Sequence, residues 1–160
     1  MVRTISLFFI FIFIGCEMNS KQIIKPEKFT YDKVKFNAVS KNFENKFETI
    51  SPDHTIMSEI IQYWFDNRIK TDGFEGNLSV LVKQIQFDRE KKQDYYKFSI
   101  SLSLEFIEQK SSTNVKSYTV NSKEYGEING SFAIKDQDNL DLNLMHKSLE
   151  SISSKLLEIN

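Results

Sequence analysis

The stretch Tyr96-Lys97-Phe98-Ser99-Ile100-Ser101-Leu102-Ser103-Leu104-Glu105-Phe106 carries the strongest pattern in the chain. Apolar residues take the even positions and polar residues the odd ones, and a strict period of two marks a β-strand with one face in a core and the other in water. Tyr96, Phe98, Ile100, Leu102, Leu104 and Phe106 therefore point inward, and Lys97, Ser99, Ser101, Ser103 and Glu105 point outward. A sheet that is wet on one side needs a cover on the other, so the neighbouring segments must supply helices for one face only.

Working outward from this strand, Leu78-Ser79-Val80-Leu81-Val82 follows Gly76 and reads as a strand apolar enough to be central. The charged residues 88–94 then read as a hairpin connection. On the other side, Ser111-Ser112-Thr113-Asn114 is a turn, residues 115–120 are a further strand, and residues 125–138, with Gly126 and Gly130, read as an irregular loop or a short extra strand. Near the start of the domain, Val34, Phe36 and Ala38 alternate with Lys33, Lys35 and Asn37, which predicts a half-buried first strand.

Two segments have helical spacing. Ser51-Pro52-Asp53 has the features of a helix start: a capping hydroxyl, a proline at the first helical position and an acid at the positive end of the dipole. That helix is expected to run to about Lys70 with Met57, Ile60, Ile61 and Trp64 on its buried stripe, and to stop before Gly73. The second runs from about Asn139 with Asp138 as cap and Leu142, Met145, Leu149, Ile152, Leu156 and Ile159 on one side. The fold class is thus α+β in the order β-α-β-β-β-α, with about four strands and two helices packed on one face.

The chain has 160 residues and a formal charge of −1, with 14 Phe, 6 Tyr and 1 Trp to furnish a core. Its single cysteine cannot close an internal disulfide, and there is no Cys-x-x-Cys pair for zinc or redox chemistry. Near-neutral charge argues against nucleic acid as a partner, because neutralising phosphates requires a basic surface. Residues 31–160 form one domain of ordinary size, preceded by residues 16–30, which show little periodicity and read as a tether.

Residues 1–15 have the form of a cleavable export signal. One positive charge, Arg3, precedes the apolar run from Ile5 to Ile14, and that run is too short to span a hydrocarbon layer, which takes about 20 residues. The run ends in Phe13-Ile14-Gly15-Cys16, which resembles the lipobox of bacterial lipoproteins, with Phe13 standing where Leu, Val or Ile is usual. The resemblance implies cleavage between Gly15 and Cys16, lipidation of the Cys16 thiol and acylation of the new amino terminus. Acyl chains in that number would anchor the domain stably to a membrane. Glu17 after the lipidated cysteine implies, in that family, sorting to the outer membrane facing the periplasm.

No common catalytic template is present: neither Gly-x-Ser-x-Gly, nor His-Glu-x-x-His, nor a phosphate-cradling glycine-rich loop occurs. His54 and His146, on different predicted helices, read as surface or capping residues. Asp136-Gln137-Asp138-Asn139 opens like a calcium loop, but Leu140 and Lys147 stand where oxygen ligands would be needed. No metal, cofactor or catalytic residue is therefore expected, and the chain reads as a non-enzyme. Two features break their local pattern. Arg68 projects onto the stripe of Met57, Ile61 and Trp64, where it can satisfy carbonyls at the helix end and stack on Trp64, or else serve a partner. Ser99, Ser101 and Ser103 form a flat uncharged row where a merely solvated strand would more often carry Lys, Glu and Thr.

The lipobox followed by this element order resembles the small outer-membrane lipoproteins of lipopolysaccharide assembly, which plug the translocon barrel. Trp64-x-x-x-Arg68-Ile69 with Gly73 and Gly76 is also similar to a pattern in uncharacterised alphaproteobacterial lipoproteins. The first resemblance implies a membrane-anchored assembly or plug factor that binds an outer-membrane protein or a glycolipid. The alternatives are an auxiliary lipoprotein of an envelope lipid-transport system and, more distantly, an enzyme of unidentified class.

Overall fold

The structure, a computed structural model, describes residues 33–45 and 52–159, and of residues 52–55 the backbone only. The signal 1–15 with Gly15, the tether 16–30 with Cys16, the capping residue Ser51 and the His54 side chain lie outside the described residues. The elements are β1 (Val34–Phe36), β2 (Ser40–Asn45), α1 (Pro52–Arg68), β3 (Ile69–Thr71), β4 (Asn77–Lys91), β5 (Tyr95–Gln109), β6 (Val115–Asn129) and α2 (Ile134–Ile159).

The main sheet has four strands in the order β2-β4-β5-β6. β4, β5 and β6 form an antiparallel meander, and β2 lies parallel to β4. Within this sheet the element order is β-α-β-β-β-α, and both helices pack on one face, as α+β patterning requires. Phe98, Ile100, Leu102, Leu104 and Phe106 of β5 are buried, and Tyr96 packs half-buried against the same core. Met57, Ile60, Ile61 and Trp64 of α1 and Met145, Leu149, Ile152 and Leu156 of α2 close over them. The helices are joined by a buried polar link: Trp64 Nε1 donates to Ser153 Oγ at 2.9 Å, and Ser153 Oγ donates to the Leu149 carbonyl at 2.8 Å.

Several element bounds differ from the sequence reading, each for a physical reason. Val34, Phe36 and Ala38 are buried as the alternation predicts, but β1 pairs with β3 in a separate two-stranded parallel sheet. The strand that joins the main sheet is β2, whose inward positions Lys41, Phe43 and Asn45 include only one apolar residue. Lys41 is there because its ammonium serves α1: it donates to the carbonyls of Phe65, Asp66 and Ile69 at 2.9, 3.1 and 2.8 Å and lies 4.4 Å from the centre of the Phe65 ring. Lysine at a helix C-terminus suits both the orphan carbonyls and the dipole. Burial pushes its ammonium below the usual lysine range, the Lys70 charge adds to that, and Asp66 opposes it.

β4 does not end at Val82. A bulge at Lys83 shifts the register, so the inward series Leu78, Val80, Val82 continues as Ile85 and Phe87, with the parity reversed. The residues read as a connection from Asp88 to Lys91 belong to this strand, and the turn is confined to residues 92–94. β6 likewise runs on to Asn129 through the segment read as a loop. α2 begins at Ile134 rather than Asn139, with Asp136 rather than Asp138 at its start: Asp136 Oδ2 accepts from the Ala133 N–H at 3.1 Å, the reach-back half of a capping box. Leu142 is half-buried and Ile159 exposed, while Leu144, outside the expected stripe, is buried.

Candidate binding face

The serine row sits at the centre of the uncovered face of the sheet, because β5 is flanked by long strands on both sides. The register places Gln84 and Asn121 on either side of Ser103, Gln86 and Lys123 beside Ser101, and Asp88 and Tyr125 beside Ser99. Ser99 is 9% exposed, and Ser101 and Ser103 are half-buried, lowered between taller neighbours. The result is a shallow trough with an uncharged serine floor, walled by β4 and β6.

The β4 wall is a chain of side-chain hydrogen bonds. Gln84 Nε2 donates to Gln86 Oε1 at 2.7 Å, and Gln86 Nε2 donates to Asp88 Oδ1 at 3.0 Å. Each amide thus spends one donor locally and keeps other donor and acceptor sites for a ligand. On the β6 wall, the ammonium groups of Lys97 and Lys123 lie 4.6 and 5.6 Å from the Tyr125 ring centre, in cation–π range, and the Tyr125 side chain remains 51% exposed.

Ion pairs close the two ends of the trough, and Asp88, Lys97 and Lys123 place further charges along its sides. At one end Glu105 accepts from Ser117 Oγ at 2.9 Å and pairs with Lys83 at 3.1 Å; the Ser117 hydrogen bond, then Lys83, holds its carboxyl below the usual glutamate range. At the other end Lys92 hydrogen-bonds Glu90 and lowers its carboxyl in the same way. Chemically, such a face can exchange neutral hydrogen bonds with a flat polar surface, and its small hydroxyls permit close approach.

The remaining sequence candidates lie elsewhere. Trp64 is buried between the helices through its bond to Ser153. Arg68 is half-buried at the end of α1 and is not without partners, while Lys41 takes the nearby helix carbonyls. Neither belongs to the serine trough. His146 is half-buried on α2, and burial pushes its imidazole below the usual range. On the inner face, burial, helped by Glu108, pushes the Tyr118 hydroxyl well up. Residues 136–139 lie in the first turns of α2 rather than in a loop, and among the described residues no group of three or more His, Cys, Asp or Glu is placed to hold a metal ion. The sequence alone does not single out Gln84, Gln86, Asn121, Lys123 and Tyr125. The alternation beyond Val120 that would have placed the last three is blurred by Ser122, Glu124 and Gly126 on the inner side.

No family model matches the chain, and no curated protein does. Among solved structures it is similar to rare lipoprotein B from Shewanella oneidensis, at 8% identity and a TM-score of 0.44, over 74% of this chain and 91% of that one. It is similar to a minor lipoprotein from Acinetobacter baumannii at 8% identity and a TM-score of 0.48, over 73% and 91% of the two chains. A third is a putative neuraminyllactose-binding hemagglutinin homolog from Helicobacter pylori, at 10% identity and a TM-score of 0.35, over 78% and 88%.

Proposed function

We propose that the chain is an envelope lipoprotein, held to a membrane by lipid on Cys16, whose domain is a non-enzymatic assembly or plug factor. Its partner is an outer-membrane protein or a glycolipid, as in lipopolysaccharide or outer-membrane assembly, and it is met by the uncovered sheet face. One observation carries this reading. The floor of that face is an uncharged row of hydroxyls, Ser99, Ser101 and Ser103, flanked by the amides of Gln84, Gln86 and Asn121, with Lys123 the charge beside its middle and ion pairs set at the ends. A surface kept only for solubility gains from charge throughout, whereas a neutral polar surface loses little on desolvation when a partner supplies matching hydrogen bonds. Sugar hydroxyls and the polar rim of a protein both do so.

The test is Ser101→Arg, which places a long cation in the trough without touching the core. Ser101 is half-buried and lies opposite Lys123, so the substitution should cost up to about 1 kcal/mol and leave the domain folded, which the thermal midpoint checks. Recovery of the partner from native membranes should fall away. Full recovery by the folded variant would show that this face is only solvated.

A further inference from the structure

β6 is the outermost strand of the main sheet, 15 residues long, and among the described residues it pairs with β5 along one side only. The phase of its hydrogen bonds can be read from both ends. At the hairpin Lys110 N–H donates to Asn114 C=O at 2.9 Å, and beyond the far end Gly130 N–H donates to Asp94 C=O at 3.1 Å. Both are pairs of even-numbered residues. Bonded and non-bonded pairs alternate along an antiparallel ladder, so the odd-numbered residues of β6 turn their N–H and C=O groups away from β5. Lys155 agrees with this phase: its ammonium, reaching over from α2, donates to the Asn121 carbonyl at 2.6 Å. A lysine on a free edge is a means of blocking further strand pairing. It leaves the half of the edge beyond it uncapped, where Lys123, Tyr125 and Glu127 are all exposed.

We propose that residues 123–127 pair antiparallel with the same segment of a second copy of this chain, about a twofold axis at Tyr125. Charge complementarity selects the partner and the register. Centred on Tyr125, the pairing sets each Lys123 opposite Glu127 of the other copy and the two Tyr125 side chains opposite each other. Centred on residues 123, 124 or 127, it would set Lys123, Glu124 or Glu127 against itself, and directly opposed like charges destabilise a ladder. A contact this short makes a weak, concentration-dependent dimer, strengthened wherever copies are held on one surface. It goes beyond the binding reading above: two sheets become one of eight strands, and two polar troughs lie side by side on the same face.

The experiment is sedimentation of the full chain in mild detergent over a concentration series, with Lys123→Glu, Glu127→Lys and the double charge swap. Each single reversal opposes like charges and should weaken self-association at least about tenfold, and the double variant should recover it. Both positions are exposed, so thermal midpoints of all three variants should match the parent. A parent chain that stays monomeric throughout, a single variant that associates as the parent does, or a double variant that fails to recover would each overturn the proposal.

Discussion

Ser153 is a small polar residue in the middle of an apolar helix stripe, and its hydroxyl answers the one buried indole N–H of the molecule. It accepts from Trp64 at 2.9 Å and donates a hydrogen bond to the Leu149 carbonyl at 2.8 Å, so both groups are satisfied without water. Removing that hydroxyl leaves the indole donor buried and unpaired, which costs about 1 to 3 kcal/mol. Ser153→Ala should therefore lower the denaturant midpoint by that equivalent, whereas Ser154→Ala, one position on and exposed, should leave it unchanged. At this scale the sequence speaks only in part. Trp64 was legible as a core residue from its spacing, but its partner stands 89 residues away, and no local pattern names it. Lys41 shows the same limit: nothing near it in the chain says that its ammonium ends a helix.

The elements were legible where one face is fully buried and indistinct where it is not. β5, central in its sheet, has one face buried in the core, under the helices and, at its ends, under Phe132 and Phe36; it alternates without exception from Tyr96 to Phe106 and is legible over most of its length. β4 is legible only as far as Val82 because the bulge at Lys83 reverses its parity. β6, an edge strand, carries mixed residues inward, including Gly126, where an added Cβ would come 2.5 Å from Leu140 Cδ1 of α2. β2 carries no legible alternation because its inner positions are mostly polar. The break between β1 and β2 and that between β3 and β4 are stitched by Gly73 N–H to Ala38 C=O and Val39 N–H to Gly76 C=O, both at 3.1 Å. Gly76 has φ +81°, and a Cβ there would meet the Gln109 carbonyl oxygen at 2.7 Å. Gly130 has φ +66° with nothing within 4 Å. Gly76→Ala should thus cost about 3 kcal/mol or more, since strain and a backbone clash add, while Gly130→Ala should cost only the left-handed strain of about 1 to 2 kcal/mol. Equal losses, read from denaturant midpoints of the two variants, would contradict this account of the junction.

At the scale of the whole molecule, the proposed membrane tether leads into a domain with a covered face and an uncovered one. The tether rests on residues 13–16 and has its own check. Mass spectrometry of the mature amino terminus should find an acylated Cys16, Cys16→Ala should leave the membrane fraction or stay unprocessed, and a free thiol on the mature chain would refute the anchor. The serine row of the face was legible in the sequence, but its walls were not, because Gln84, Gln86, Asn121 and Tyr125 join it only through cross-strand register. The central claim is that this trough is kept for a partner. A photo-crosslinking amino acid placed at Gln86, exposed on the uncovered face, and separately at Ser154, exposed on α2 across the sheet, tests it directly in native membranes. The account predicts a discrete adduct from position 86 that is absent from position 154 and disappears when Ser101→Arg is added. Equal labelling from both positions, or none from position 86, would contradict it.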